Sequence, residues 1–422
     1  MIKESRPYWI QFFYLGLGMF FYTICRMGFP VGLAAMAHQF DWVAFQVGVL
    51  STIFLLGQAL IDVPAGYWID RIDRKRVIFI GLFGIGLLTA LVTLAGGFWS
   101  ALVFRVLFGM AEGIYNVVQF AVAGSILPGN RALVNGLTQV FFGVGQFSGQ
   151  TFVGSMLRAY PGDWRLPLWC LGGVTMAYAV LSLLLFQRRY LRRFETRDEM
   201  TDHGFWRTFA LTATNRSVWK ALAIHGCNMV PNWGVQGLGN YILINFRHYP
   251  ASFTALVFGV GFGVGGLLVP CGTIWADRFG RRPVVCALGL WTALAYFLLF
   301  YVAPPDWIMI VLSIGAAFGT AALYTLGYTI TQDAVTSASM SGIGIATGMA
   351  AGFGYFIAMC AGPMVGALTP VLGPLWALNL IVIGGEVMVA VLAFWFLRPA
   401  ADIGLTTMPS ATTSPAALAS ES

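Results

Sequence analysis

Three ionisable residues stand inside stretches that are otherwise apolar: Arg26, Arg105 and Glu112. An ionised side chain at the centre of a bilayer costs about 2.5–3.5 kcal/mol on insertion scales, so each is a functional candidate. Arg105 and Glu112 are two helical turns apart and share a face, which Asn116 and Gln119 continue. Facing lipid, that polar stripe would be ruinous, so it is expected to line a central cavity. A guanidinium presents a planar fork that matches a carboxylate and keeps its charge in a low dielectric. A carboxyl in the same place is pulled two ways, burial opposing its charge and a nearby guanidinium favouring it. Glu112 is therefore expected to carry a proton in alternation with pairing to Arg105 or Arg26, with Arg105 tuning it. A static buried Arg–Glu pair is the blander reading, and such pairs are weak stability devices.

Amides supply the rest of the candidate lining. Asn228, Asn232, Gln236 and Asn240 recur every fourth residue around Pro231 and Trp233, with Tyr241 following. Asn135, Gln139, Gln146 and Gln150 form a second stripe, and Tyr324 and Tyr328 a hydroxyl pair. Such groups in apolar segments are costly unless they meet water, a solute or each other. The expected solute contacts are Asn116, Gln139, Gln146, Asn228, Asn232, Gln236, Tyr324 and Tyr328, about half of the amides serving instead to bond neighbouring helices. His225 is read as structural, and Glu386 has no account at this level. Lys220 and Arg247 lie too near the ends of their helix to reach the midplane, which favours a solute with a single carboxylate.

The elements that position these residues follow from composition. Hydrophobic residues make up 58% of the 422-residue chain, charged residues 10%, and the mean hydropathy is +0.77. That balance belongs to a polytopic membrane protein. With about 20 apolar residues needed per crossing, twelve spans are predicted: 10–35, 44–68, 77–96, 98–121, 132–157, 166–186, 217–243, 252–275, 283–303, 306–329, 341–366 and 373–397. The apolar stretch from near Tyr8 is longer than a signal-peptide core and reads as the first span. Of the 24 Lys and Arg, Arg158, Arg165 and Arg247 fall at one surface, and Arg26 and Arg105 inside spans. The rest fall at the other surface, so both termini are expected to be cytoplasmic. The net charge of +7 is thus topological, and no nucleic-acid partner is expected. Six cysteines lack metal-ligand spacing, no phosphate-cradling Gly-x-x-x-x-Gly-Lys-Ser/Thr occurs, and no metal or cofactor is expected. Glycines recur through span five (Gly143, Gly145, Gly149, Gly154) and span eleven (Gly342, Gly344, Gly348, Gly352, Gly354), where small residues let helices approach.

The chain also repeats itself. Gly66-Tyr-Trp-Ile-Asp70-Arg71-Ile-Asp73-Arg74-Lys75-Arg76 joins spans two and three. Thr273-Ile-Trp-Ala-Asp277-Arg278-Phe-Gly280-Arg281-Arg282 joins spans eight and nine, about half a chain later. A charged turn at the same place in each half points to a duplicated bundle. These loops resemble the signature Gly-x-x-x-Asp-Arg-x-Gly-Arg-(Lys/Arg) of the major facilitator superfamily, with Asp73 in place of glycine in the first copy and Thr273 at the leading glycine of the second. The segment Arg105-x-x-x-Gly109-x-x-Glu112-Gly113 is similar to the superfamily's helix-four motif, and the glutamate narrows the resemblance to its organic-anion symporter branch. Gln46-x-Gly48 and Asp163-Trp164-Arg165 match as well. The resemblance implies an all-α membrane protein of twelve transmembrane helices in two pseudo-symmetric six-helix bundles. It implies carboxylate binding at Arg26 and gating by Asp62, Gly66, Asp70, Arg71, Arg74, Asp277, Arg278, Gly280 and Arg281. Cys25 stands where that branch often carries Asp.

The expected organisation is an N-terminal bundle (1–186), a basic cytoplasmic linker (187–216) with an amphipathic surface helix, a C-terminal bundle (217–399) and a disordered tail (400–422). The expected function is secondary transport of a small organic anion, a carboxylate or sugar acid, across an inner membrane by alternating access with proton symport, in a monomer. Metabolite export, exchange or uniport on the same fold is the first alternative, and a non-transporting sensor or assembly protein the second. Drug export is disfavoured because span five lacks a Gly-Pro pair, Gly362-Pro363 lying in span eleven instead. An enzyme is not expected: no nucleophile–base pair is visible and His38, His203, His225 and His248 are scattered.

Overall fold

The computed structural model describes residues 2–69, 73–126, 131–191, 205–302, 305–336 and 343–397, which form helices and no strand. Helices satisfy their own backbone polar groups, the condition for crossing a bilayer as separate segments. In chain order they are α1 (Ile2–Gln39), α2 (Ala44–Thr52), α3 (Phe54–Ile69), α4 (Arg74–Leu91), α5 (Phe98–Ile126), α6 (Arg131–Ala159), α7 (Arg165–Leu185), α8 (Arg188–Leu191) and α9 (Phe205–Thr214). There follow α10 (Arg216–Arg247), α11 (Ala251–Phe279), α12 (Arg281–Phe297), α13 (Asp306–Thr336), α14 (Ile343–Ala358), α15 (Ala361–Leu372) and α16 (Pro374–Phe396).

Span two is broken at Ile53 into α2 and α3, and span eleven near Cys360 into α14 and α15. Among the described residues ten segments are long and apolar enough to cross a membrane. Predicted spans five and seven fall outside that set. They are present as α6 and α10, of 29 and 32 residues, long enough to cross but diluted by their amide stripes. The predicted linker contributes α8 and α9 at its ends. Residues 192–204 and the tail lie outside the described residues.

Helices α1 and α3–α7 pack chiefly on one another, as do α10–α14 and α16. With α2 on the first side and α15 on the second, the two groups meet where α1 packs on α10, α2 on α10 and α15, α3 on α14, and α6 on α11. Backbone meets backbone at this seam. A Cβ on Gly48 would collide with the Gly362 carbonyl, and one on Gly362 with the Gly48 carbonyl. Gly143 and Gly263 face each other in the same way, a Cβ on Gly143 standing 3.0 Å from Gly263 O. Overpacking such a contact costs about 1–3 kcal/mol. Gly362→Ala is therefore expected to lower the melting temperature of the detergent-purified protein by several degrees. Gly348→Ala, whose Cβ would meet nothing within 4 Å, is expected to leave it unchanged. Equal melting of the two variants would remove the seam as a close contact.

Candidate functional site

The motif in α5 holds its charges where they are by giving up side chains elsewhere. A Cβ on Gly109 would strike the Phe54 carbonyl, one on Gly57 the Val106 carbonyl, and one on Gly113 the Ile61 side chain. Glycine at these positions lets α3 and α5 touch along their backbones. Glu112 is thereby turned toward α1, with its side chain fully buried. There it meets Arg26, itself 3% exposed, whose Nε lies 3.8 Å from Glu112 Oε1. The Arg26 Nη1 donates to the Tyr22 hydroxyl, one turn earlier on α1.

An aromatic cage completes the site. The Arg26 guanidinium carbon lies 3.9 Å from the centroid of Trp233 on α10 and 4.9 Å from that of Phe54 on α3. Trp233 stands 6.1 Å from Tyr355 on α14, ring to ring. The Tyr324 hydroxyl lies 3.1 Å from both the Tyr355 and Tyr328 hydroxyls. The cation thus comes from one group of helices and its stacking partner from the other, with a tyrosine cluster behind. Arg26 Nη2 and both carboxylate oxygens of Glu112 make no hydrogen bond. A planar cation and an anion, both buried and both with hydrogen-bonding capacity to spare, can exchange each other for a carboxylate ligand and a proton.

The profile described as Major Facilitator Superfamily matches residues 15–273, more than half of the chain. The chain belongs to the major facilitator superfamily. A probable chloroplastic anion transporter of Arabidopsis thaliana is 36% identical over 98 residues, covering 22% of this chain and 19% of that protein. A hexuronate transporter of Bacillus subtilis is 30% identical over 139 residues, covering 33% and 32%. The chain thus spans about a fifth to a third of the length of these two relatives. The fold is that of a bacterial homologue of the human lysosomal transporter Spinster in its inward-facing, unoccupied conformation. Their TM-score is 0.73 at 17% identity, over 92% of this chain and 96% of that one. These relatives are transporters, not enzymes.

The superfamily loops fall out unequally. Asp70 and Arg71 lie outside the described residues, and Gly66 is in the last turn of α3. Asp73 caps α4 by accepting from Lys75 N (3.2 Å) and pairs with Arg188 at 2.7 Å. The first loop therefore needs no glycine there: Asp73 has φ −56°. In the second loop Gly280 has φ +91°, a conformation that L side chains rarely adopt. Arg74 donates to Leu191 O at 3.0 Å. Arg281 bonds Asp277 at 2.6 Å and Asp333 of α13 at 3.3 Å, so Asp277 is paired on its own side of the seam. Arg278 is exposed. Asp62, 8% exposed, lies against Gly113, where a Cβ would stand 2.7 Å from its Oδ1; it belongs beside α5 more than to the loop.

Arg105 shares the face of Glu112, as its spacing requires, but of the two guanidiniums expected to pair with that carboxylate the structure brings Arg26 to it. Its Nε donates to Leu50 O (3.3 Å), beside the break at Ile53, and its guanidinium carbon lies 4.0 Å from the Phe29 centroid. Two helical turns separate the residues by about 10 Å along the axis, and the contact to Glu112 is made from α1 instead.

The amides divide. Gln146 Nε2 donates to Gln236 Oε1 (3.4 Å), Gln236 Nε2 to Asn232 Oδ1 (2.6 Å), and Asn240 Nδ2 to Gln150 Oε1 (3.1 Å). His38 Nε2 donates to Asn245 Oδ1 at 3.1 Å. These bonds make a ladder between α1 and α6 on one side and α10 on the other. Asn228 turns away to Glu386 of α16. Asn116 is partly exposed, and the side chains of Asn135 and Gln139 lie outside the described set. Tyr22, Phe54 and Tyr355 were not among the residues read from sequence. Tyr22 had a signal, since four residues before Arg26 places it on the same face.

Proposed function

We propose that this chain carries a small organic anion with one carboxylate across a membrane by alternating access, with a proton as co-substrate. The observation that supports it is the buried Arg26–Glu112 contact at 3.8 Å, roofed by Trp233 from across the seam. Two bundles, 1–186 and 217–399, rock about this site, and the amide ladder and glycine seam part on one side as the other closes. In the empty site Glu112 neutralises Arg26. Protonation of Glu112 frees the guanidinium fork, which then takes the solute carboxylate. Carboxylate and proton enter together, so the site keeps its net charge as the bundles cross between states, avoiding an unpaired charge in low dielectric. Loss of the proton on the far side returns Glu112 to Arg26 and expels the anion. The tyrosine cluster and the amides released from the ladder then hold the remainder of a hydroxylated solute. A hexuronate, the solute named for the Bacillus relative, has this chemistry. The setting is an inner membrane, with cytoplasmic termini and a monomeric carrier.

The test is a thermal-shift panel on the purified protein, comparing glucuronate, gluconate and lactate with glucose and glycerol. At least one carboxylate is expected to raise the melting temperature with increasing concentration while the neutral compounds do not. Equal stabilisation by glucose, or no shift from any carboxylate, would sink the organic-anion reading.

A further inference from the structure

Outside the Arg26 cage, α16 carries a second carboxyl with 0% exposure, Glu386. Its Oε1 accepts from Asn228 Nδ2 on α10 (3.0 Å) and from Thr320 Oγ1 on α13 (2.9 Å), while Oε2 has no partner. Among the described residues no Lys, Arg or His pairs with it. The titratable groups that face it are the Tyr296 hydroxyl of α12, beside Thr320, and the Cys227 thiol of α10. Two neutral donors on one oxygen do not offset an ionised carboxylate buried among helices. A proton on Oε2 removes the charge and gives that oxygen a hydrogen to donate. Asn228 presents its nitrogen here, an arrangement unsuited to a metal cation, which would draw the amide oxygen.

What Glu386 holds is the weak point of α10. Pro231 has no N–H, so inside the continuous α10 the Cys227 carbonyl one turn earlier loses its helical donor, which makes this the turn most easily bent. The residue preceding Glu386 packs on that spot: a Cβ on Gly385 would stand 2.8 Å from Pro231 Cδ and 3.0 Å from Cys227 O. Asn228 is one residue beyond Cys227, and one turn after it Asn232 joins the ladder to α6 through Gln236 and Gln146. A bond from Asn228 to α16 therefore pins α10 on the near side of the hinge, with the inter-bundle ladder on the far side.

We propose that Glu386 is a proton-binding site distinct from Glu112, and that its proton sets how firmly α10 is pinned at the Pro231 hinge. The neutral carboxyl sits in its pocket with both donors in place. Ionised, it draws water or the Tyr296 hydroxyl to itself and loosens the packing of Gly385 on Pro231. The site operates whatever solute is carried, so it stands apart from the assignment of Arg26 and Glu112.

Difference infrared spectroscopy of the protein in lipid nanodiscs, stepped from acid to alkaline pH, tests this without any solute. The wild type is expected to show a protonated-carboxyl band that bleaches at alkaline pH and is lost in Glu386→Gln while persisting in Glu112→Gln. Thr320→Val keeps the carboxyl but removes one donor, and is expected to move that band to higher frequency. Hydrogen exchange over residues 224–238, corrected for the intrinsic rate, is expected to be about tenfold slower at acid than at alkaline pH, equivalent to about 1.4 kcal/mol. In Glu386→Gln that pH dependence is expected to vanish. Superimposable spectra of the wild type and Glu386→Gln would overturn the site, as would a Glu386 band that never bleaches. The same pH dependence of exchange in both proteins would overturn its link to the hinge.

Discussion

Arg26→Lys is expected to weaken binding of a stabilising carboxylate by about a hundredfold or more while leaving the protein folded. Lysine keeps the positive charge beside Glu112, so the buried anion retains a partner and the melting temperature is expected to stay within a few degrees. What it loses is shape. The guanidinium offers two parallel donors to a carboxylate and a flat face to Trp233, 3.9 Å away, whereas an ammonium is a compact point charge. A charge-assisted hydrogen bond contributes about 1.5–3 kcal/mol and a desolvated cation–π contact about 2 kcal/mol. Complete loss of both would correspond to roughly 2.5 to 3.5 decades in Kd, and the ammonium recovers part of each. Titration calorimetry with the carboxylate chosen from the thermal-shift panel reads this directly, and an unchanged Kd would show that the fork is not the anion's seat. Arg26→Ala is the less informative change, because it strands Glu112 as an unpaired buried charge.

Glu112→Gln is expected to turn a concentrating carrier into an exchanger. Glutamine resembles the protonated carboxyl and leaves Arg26 free at every pH. The carboxylate therefore still binds and still crosses with the protein, but no proton is released to drive it off on the far side. In proteoliposomes with an inward proton gradient, accumulation above equilibrium is expected to disappear while exchange of labelled for unlabelled carboxylate persists. The sign of the pH effect follows from the competition at Arg26. In the wild type, raising the pH ionises Glu112, which reclaims the guanidinium, so carboxylate affinity falls. In Glu112→Gln the affinity is expected to be independent of pH. Equal accumulation in both proteins would take the proton away from Glu112.

Much of this site was legible before any coordinate, for a physical reason. Charges and amides are expensive in a bilayer, so Arg26, Glu112 and the stripes on α6 and α10 stand out as exceptions to a strong rule. The paired loops at half-chain spacing likewise announce a duplicated fold. Partners were harder to read, because spacing reports which residues share a helix face and says nothing of the neighbouring helix. Arg105 shows this: it lies on the face of Glu112, yet α1 supplies the contact and Arg105 turns to a carbonyl beside the break in span two. Gln146 and Gln236, read as solute contacts, are bonded to each other across the seam, since two amides at facing positions satisfy each other. Aromatic residues are too common in such helices to signal a cage, which is why Phe54 and Tyr355 went unread. Glu386 was visible as a charge but unintelligible without Asn228 and Thr320, which α10 and α13 bring from 158 and 66 residues away.

The most direct measurement is of proton movement itself, on the wild-type protein alone. Proteoliposomes loaded with a pH-sensitive dye, with no initial proton gradient and their membrane potential clamped, are given the external carboxylate identified by the panel. If the anion travels with a proton through the Arg26–Glu112 site, the lumen acidifies as labelled solute enters, in fixed proportion to it. Entry of solute with no change in lumenal pH would contradict the account and leave a uniporter.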